Sequence, residues 1–148
     1  MKTVLTLLLT GLFGFSYAKT AKSSDEILGI WLTGSGKAKV EILKNGNTYQ
    51  GKIVWLKEPI DPDTKQPKTD KNNPNKAYKN RALLGLTNIW GFKYEGGDTW
   101  ESGYVYDPQN GKQYKCIITL KDKNTLVVRG YIGISLIGRD DIWKRTNL

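Results

Sequence analysis

The sequence predicts an all-β domain, a single barrel or sandwich of about eight antiparallel strands with one short helix. Two observations predict this fold class. Short runs of β-branched and aromatic residues alternate with polar residues, which is the period of a half-buried strand. Turn signals such as Asn45-Gly46, Gly96-Gly97 and Asn110-Gly111 separate these runs at short and regular spacing. Consecutive strands joined by hairpin turns are typical of closed or sandwiched antiparallel sheets.

The first part of the chain predicts three strands. Residues 27–33 contain Gly29-Ile30-Trp31 and form the first. In the second, around residues 38–42, apolar side chains alternate with charged ones, and Asn45-Gly46-Asn47 turns the chain back. The third covers residues 48–56, and its apolar face carries Tyr49, Gly51, Ile53 and Trp55. The second and third strands therefore form a hairpin.

Residues 59–75 interrupt this pattern with a long loop that is rich in proline and in charges of both signs. At its end, Asn73-Pro74 resembles a helix cap followed by proline at the first helical position. We therefore expect a short helix over residues 76–84 that turns its apolar side chains inward and ends at Gly85; these side chains are Tyr78, Leu83 and Leu84.

The remaining strands are predicted over residues 86–95, 100–107, 112–120, 125–131 and 139–145. Alternation places Trp90, Phe92 and Tyr94 on one face of the first of these. In the next hairpin it predicts two core-facing sets, Trp100, Ser102, Tyr104 and Tyr106 before the turn and Tyr114, Cys116, Ile118 and Leu120 after it. Residues 132–138 form an apolar connection, and the sequence does not indicate which strand this connection pairs with.

The first eighteen residues have the pattern of a signal peptide. Lys2 is followed by a short apolar run, and Ser16-Tyr17-Ala18 supplies small residues before a cleavage site. We therefore expect residues 1–18 to be removed and residues 19–148 to form one domain in the periplasm or the medium. The apolar run is too short to span a membrane.

The composition narrows the chemistry that the chain can perform. There is no histidine, so imidazole is excluded both as a metal ligand and as an acid–base group. Cys116 is the single cysteine, and its position in the strand predicts a buried, unreactive thiol. No metal, cofactor or catalytic residue is predicted.

The charge balance is basic. Without Lys2 the chain has 22 basic and 14 acidic side chains, a net charge of +8. This balance favours anionic partners in general, but the lysines are scattered rather than clustered on one face. We therefore interpret the charge as a solvated surface and expect no nucleic-acid partner.

Several motifs, spread in order over nearly the whole mature chain, resemble the bacterial family known as domain of unknown function 2147. They are Gly51-Lys52-Ile53-Val54-Trp55-Leu56, Asn73-Pro74, Arg81, Leu84-Gly85, Tyr106-Asp107-Pro108, Gly111, Tyr114, Leu126, Arg129-Gly130, Gly138-Arg139 and Trp143-Lys144-Arg145. Ala82 departs from the pattern, which would have proline there. The resemblance implies a small exported protein with a lipocalin-like, calycin-type β-barrel, and it implies little about chemistry.

Gly29-Ile30-Trp31 is similar to the Gly-x-Trp opening of lipocalins, fatty-acid-binding proteins and avidins. In those folds a late basic residue packs over the tryptophan and closes one end of the barrel. The resemblance predicts that Arg145, or alternatively Arg139, packs over Trp31 in this way.

The leading functional hypothesis is a non-enzymatic barrel that binds one small apolar or amphipathic ligand. The predicted cavity residues are Tyr49, Trp55, Trp90, Trp100, Tyr104 and Tyr106, and either Arg81 or Arg129 would meet an anionic head group. The same aromatic side chains are equally suited to filling a solid core. Arg129 also fits an outward-facing salt bridge.

Three alternatives remain open. The first is a structural or protein-interaction module with a filled barrel, dimeric through a strand edge or through residues 132–137. The second is an OB-like barrel for oligosaccharide or single-stranded nucleic acid, which export and the strand count disfavour. An enzyme is the least favoured, because Asp61, Asp63, Asp70 and Asp107 lie in a loop or a turn without a recognisable catalytic spacing.

Overall fold

The computed structural model describes residues 23–148, so the predicted leader over residues 1–18 lies outside the described residues. The described chain contains eight strands and one short 3₁₀ helix. The strands are β1 (Gly29–Leu32), β2 (Ala38–Asn45), β3 (Thr48–Leu56), β4 (Thr87–Gly96), β5 (Thr99–Asp107), β6 (Lys112–Asp122), β7 (Thr125–Tyr131) and β8 (Gly138–Thr146). The 3₁₀ helix covers Lys76–Tyr78.

The eight strands form a closed antiparallel barrel in chain order. Each strand pairs with the next one, and β8 closes the sheet by pairing with β1, where Trp31 lies opposite Arg145. Because the sheet is closed, none of its eight strands has a free edge, as is usual in up-and-down barrels. The predicted all-β barrel of about eight strands is confirmed.

The barrel interior is packed with apolar side chains from every strand. The largest fully buried ones are Trp31, Trp100, Phe92, Ile42, Ile89, Ile118, Leu120 and Leu126, together with Ile27, which precedes β1. Two glycines permit this packing, because a Cβ atom at Gly51 would overlap Ile89 and one at Gly103 would overlap the Phe92 ring. This part of the barrel is filled rather than hollow.

The alternation predicted for β4 and β5 is wrong in two places because each strand contains a backbone irregularity. Ser102 has a positive φ of 61°, and the pairing of β5 with β6 shifts between Trp100 and Gly103. As a result, Trp100 and Gly103 are buried, whereas Tyr104 lies on the opposite side, where it is exposed. In β4, Gly91 has a φ of 78°, and both Ile89 and Phe92 are buried.

The face predicted for β3 is correct for three of its four members. Tyr49, Gly51 and Ile53 are buried. Trp55 does not share their face, because the pairing with β2 shifts by one residue and brings Trp55 opposite Lys39. The Lys39 ammonium lies 5.1 Å from the centroid of the Trp55 ring, a cation–π contact at the outside of the barrel.

The helix predicted over residues 76–84 is reduced to a single 3₁₀ turn, Lys76–Tyr78. The backbone after this turn pairs with the preceding loop instead of with itself, since Asp70 N donates to Arg81 O and Leu83 N donates to Lys68 O. The expected inward orientation also fails for Tyr78 and Leu84, whose exposed fractions are 50% and 53%. Within residues 23–148, no helix has the length and hydropathy needed to cross a membrane.

Candidate functional site

One end of the barrel is closed by the segment that precedes β1. The Trp31 side chain is fully buried there, and its Nε1 atom donates a hydrogen bond of 2.9 Å to Ile27 O. The Arg145 guanidinium lies over the Trp31 ring, 4.1 Å from the centroid. Arg145, and not Arg139, is therefore the basic residue that covers this tryptophan.

Arg145 also holds the closing segment through hydrogen bonds to backbone carbonyls. Its Nη1 and Nη2 atoms donate to Leu28 O and Glu26 O at 2.7 and 2.6 Å, and its Nε atom donates to Lys123 O at 2.7 Å. Burial lowers the pKa of Arg145 below its usual value of 12.5. The side chain nevertheless stays charged, as arginine does in proteins. One side chain thus ties the N-terminal segment to the β6–β7 turn.

Tyr49 and Trp100 hold the same segment from inside the barrel. The Tyr49 hydroxyl donates to Asp25 Oδ1 at 2.6 Å, and Trp100 Nε1 donates to Ser24 O at 3.2 Å. The hydrogen bonds from Tyr49 and from Lys44 lower the pKa of Asp25 below its usual value of 3.8. These hydrogen bonds hold the N-terminal segment across this end of the barrel.

The opposite end contains a cavity of about 980 Å³. Its inner wall is apolar and includes Val40, Ile53, Val105, Val128 and Trp143. Its rim is polar and carries charges of both signs, from Lys37, Lys57, Glu58, Asp107 and Arg139. An apolar interior below a polar rim suits a molecule with an apolar body and a polar head.

Gly130 at the open end tolerates an added side-chain atom. It lines the cavity, and a Cβ atom added to it would meet Val105 and Tyr114 only at ordinary contact distances of 3.6 Å or more. This contrasts with Gly51 and Gly103, where the same atom would overlap a neighbour.

A buried carboxylate fixes the long β3–β4 loop beside the cavity. Asp70 is fully buried and accepts hydrogen bonds from the Tyr106 hydroxyl at 2.6 Å, from Asn73 Nδ2 at 2.8 Å and from Arg81 Nε at 2.9 Å. Burial, with the nearby Asp70, raises the pKa of Tyr106 to about 12. The loop is also held at the β5–β6 turn, where Asn72 Nδ2 donates to Gln109 O at 2.9 Å.

Asn88 contains a buried polar atom without a partner. The residue lies near the start of β4, lines the cavity and is only 8% exposed. Its Oδ1 atom is inaccessible to solvent and has no hydrogen-bond partner among the described residues. A buried acceptor without a partner is rare in folded proteins.

Comparisons with known proteins agree with this architecture. The model of the family described as "Uncharacterized protein conserved in bacteria (DUF2147)" matches residues 29–145. The chain belongs to this family. No curated protein matches it. A solved structure of protein HP1028 from Helicobacter pylori, described as belonging to the lipocalin family, is similar with a TM-score of 0.68 at 23% identity, over 81% of this chain and 82% of that one. At this identity the similarity establishes the fold alone.

The predicted ligand-binding residues of this family member lie in four places: the cavity, the closed end, the long loop and the outside of the barrel. Only Tyr106 lines the cavity. Tyr49 and Trp100 lie at the closed end, and Arg81 binds Asp70 in the long loop. Trp55 contacts Lys39, while Trp90 and Tyr104 form a stacked pair with centroids 5.9 Å apart.

The cavity residues that the sequence did not indicate include Val128, Gly130, Trp143 and Asn88. Asn88 carried a usable signal, because asparagine is unfavourable within a strand and stands here between Thr87 and Ile89. Cys116 is free and fully buried, as predicted, and burial raises the pKa of its thiol to about 12. A thiol with such a high pKa is a poor nucleophile.

Proposed function

We propose that this protein is a non-enzymatic, exported binding protein that holds one small amphipathic or apolar molecule in the open end of its barrel. The observation that carries the proposal is the cavity of about 980 Å³. Ligand pockets commonly enclose roughly 300–1,000 Å³, and an eight-stranded barrel is just wide enough for one small ligand. The family and the lipocalin-like fold are consistent with such a role.

The distribution of charge supports a defined orientation of the ligand. The apolar body would contact the inner wall, and an anionic or polar head would lie at the rim near Arg139 and Lys37. The two arginines expected at the head group are engaged elsewhere. Arg81 is paired with Asp70, and Arg129 is paired with Asp140 at 2.6 Å.

The contacts of the candidate catalytic groups support a binding role over an enzymatic one. Asp70 accepts three side-chain partners, so little of its carboxylate remains available for a substrate. Asp61 accepts hydrogen bonds from Lys71 and from two backbone N–H groups, which lower its pKa to about 2. Asp107 accepts a backbone N–H within its own turn at 2.9 Å. Each of these three carboxylates has a structural partner.

Export is part of the proposal and rests on the leader pattern of residues 1–18. N-terminal sequencing of the protein from a periplasmic fraction is expected to begin at Lys19. A cytoplasmic protein that retains Met1 would contradict export without affecting the binding proposal.

Ligand binding is tested by titrating delipidated protein with straight-chain fatty acids, isoprenoids and aromatic acids while tryptophan emission is recorded. Trp143 lines the cavity, so we expect a saturable change for at least one of these classes. The change should be largely lost in Trp143→Phe and retained in the matched control Trp55→Phe, because Trp55 lies outside the cavity. A flat response for every compound, with no lipid co-purified by mass spectrometry, would contradict the proposal.

A second candidate function is association with another protein through the β7–β8 connection. Four aliphatic side chains of this connection are 58–85% exposed; they are Ile132, Ile134, Leu136 and Ile137. Arg129 fixes the shape of the connection by donating to Ser135 O at 2.7 Å and to Leu136 O at 3.2 Å. An exposed apolar group of this kind marks interaction surfaces.

Sedimentation equilibrium decides whether this connection forms a homodimer. The dimer hypothesis predicts twice the chain mass for the wild type and the mass of one chain for Leu136→Ser. A wild-type protein that remains monomeric up to high micromolar concentration would rule out the homodimer and leave the binding proposal unchanged.

A further inference from the structure

We infer that the open end of the barrel docks on a bilayer that contains anionic lipids, with the β7–β8 connection inserted at the boundary between head groups and acyl chains. This docking goes beyond the proposed function, because it needs no ligand in the cavity. It brings the mouth of the cavity to a surface in which apolar and amphipathic molecules are dissolved.

The exposed aliphatic side chains of the β7–β8 connection are the first observation. Residues 132–137 contain no charged side chain, and four of these six residues are aliphatic and 58–85% exposed. The connections at the opposite end, residues 46–47, 97–98 and 123–124, contain no aliphatic residue. Protruding apolar side chains favour transfer into the interface of a bilayer, where their apolar area is buried.

The β7–β8 connection lies at the mouth of the cavity. Ile132 and Ile137 line the cavity. Residues from the other three connections at this end also line it, including Lys37, Lys57 and Gln109. In an up-and-down barrel, alternate connections lie at the same end. A bilayer that receives the β7–β8 connection therefore lies close to the mouth.

The backbone of this connection is suited to a medium of low polarity. Arg129 donates from Nε to Ser135 O at 2.7 Å and from Nη2 to Leu136 O at 3.2 Å. Ile137 N donates to Ile134 O at 3.2 Å. A carbonyl group that leaves water without a donor is unfavourable, and three consecutive carbonyl groups here keep a donor within the protein. The aliphatic side chains can thus enter the interface without leaving these groups unpaired.

The distribution of charge in the fold selects an anionic surface. The connections at the open end carry eight basic and four acidic side chains; they cover residues 33–37, 57–86, 108–111 and 132–137. The closed end carries one basic and three acidic side chains, over residues 23–28, 46–47, 97–98 and 123–124. Folding thus separates charges that are scattered along the sequence. The basic end is attracted to anionic head groups.

A second copy of the chain is the alternative occupant of this surface, and two observations favour the lipid. A stable protein interface takes about 20–30 residues from each partner, whereas the β7–β8 connection has six residues. Two copies that met through this end would also bring two basic surfaces together, which is unfavourable. A bilayer requires neither a large matching surface nor a second basic end.

Vesicle co-sedimentation without added ligand tests the docking. The wild type should bind vesicles of equal parts phosphatidylglycerol and phosphatidylcholine at least about tenfold more tightly than vesicles of phosphatidylcholine alone. The double variant Ile134→Ser/Leu136→Ser changes two side chains outside the cavity lining and should bind the anionic vesicles about tenfold more weakly. Leu43→Ser/Ile142→Ser is the matched control, because it removes two exposed aliphatic side chains from strands and should bind like the wild type.

The charge requirement is tested with a second pair of variants. Lys37→Gln/Lys57→Gln removes two positive charges from the open end and should weaken binding to the anionic vesicles about tenfold. Lys121→Gln/Lys123→Gln removes two positive charges near the closed end and should change binding less than about twofold. All variants share the same N-terminal residues, so a contribution of residues 1–18 is equal in every comparison.

A fluorescent label shows which part of the protein meets the bilayer. Ser135→Cys carrying a nitrobenzoxadiazole group should shift its emission to the blue when anionic vesicles are added. The same label on Lys123→Cys, in the β6–β7 turn, should not shift. Cys116 is fully buried and therefore does not compete for the reagent.

The outcomes are separable from those of the ligand titration. Absence of vesicle binding by the wild type, equal losses in test and control variants, or equal binding to the two kinds of vesicle would overturn the docking and leave the binding proposal untouched. A blue shift without vesicles that grows with protein concentration would assign the connection to a second copy of the chain and would also overturn it. A flat ligand titration with intact vesicle binding would contradict the proposed function alone.

Discussion

The two ends of the barrel differ in how many of their polar groups are hydrogen-bonded and how many of their apolar side chains are buried. At the closed end, Arg145 binds three backbone carbonyls and covers Trp31, so few groups remain available to an outside molecule. At the open end, apolar side chains line a cavity of about 980 Å³, and the connection after β7 exposes aliphatic side chains. The same eight strands thus combine a stabilising end with an end suited to binding.

The glycines of the barrel illustrate the same difference at the level of packing. Gly51 and Gly103 are required because a large side chain occupies the space next to each of them. Gly130 lines the cavity, and a Cβ atom there would make only ordinary contacts. Since interiors are normally packed to high density, the tolerance at Gly130 is a feature of the open end and not of the barrel as a whole.

The largest expected effect is on stability at the closed end. Trp31→Ala removes a fully buried ring and the cover for Arg145, so it should lower the free energy of unfolding by about 3–5 kcal/mol. Trp55→Ala is the matched control, because that ring packs on Lys39 outside the barrel core and its removal should cost less than half as much. Urea denaturation followed by far-UV circular dichroism measures both. Equal losses would contradict the assignment of stability to the closed end.

A smaller effect is expected from the glycine pair. Gly103→Ala forces a methyl group into the Phe92 ring and should destabilise the protein by about 1–3 kcal/mol. Gly130→Ala has room for the methyl group and should leave stability unchanged or raise it by up to about 1 kcal/mol. Thermal unfolding of the two variants side by side is the measurement. Comparable destabilisation at both positions would mean that the open end is as tightly packed as the middle of the barrel.

Most of the strands could be predicted because their turns are local. Asn45-Gly46 and Asn110-Gly111 mark hairpins within a few residues, and the observed bounds of β3 and β7 equal the predicted ones. The closing contact between Trp31 and Arg145 followed from the resemblance to known barrels. These features depend on short-range geometry or on a recognisable motif.

The cavity could not be predicted because it depends on which side chains meet across the barrel. A single positive φ at Ser102 reversed the expected orientation of Tyr104, and alternation in the sequence does not reveal such a bulge. The cavity is lined by Val40, Val105 and Val128, residues that are far apart in the chain. Of the aromatic residues expected to line a cavity, only Tyr106 does so; the others fill the core or lie on the outside of the barrel.

The smallest expected effect concerns the long loop beside the open end and depends on pH. Lys71 and two backbone N–H groups lower the pKa of Asp61 from 3.8 to about 2 in the folded protein. A carboxylate whose folded pKa is depressed stabilises the protein above its unfolded pKa and loses this contribution as the pH falls through the folded pKa. The stability difference between the wild type and Asp61→Asn should therefore be constant above about pH 5 and shrink between pH 4 and 2. Urea denaturation at pH 6, 4 and 2 tests this, and a difference that does not change with pH would show that Asp61 is not held as described.

The central claim, that the open end of the barrel binds a ligand, is tested most directly by filling the space beside Gly130. In Gly130→Leu, an isobutyl group enters the cavity, whereas in the control Val127→Leu the change lies one residue before the cavity-lining Val128, on the opposite face of β7. Isothermal titration calorimetry with a ligand identified by the emission screen is the measurement. We expect at least a tenfold loss of affinity in Gly130→Leu, with a folded protein, and wild-type affinity in Val127→Leu. Unchanged binding in a folded Gly130→Leu protein would contradict ligand binding at the open end.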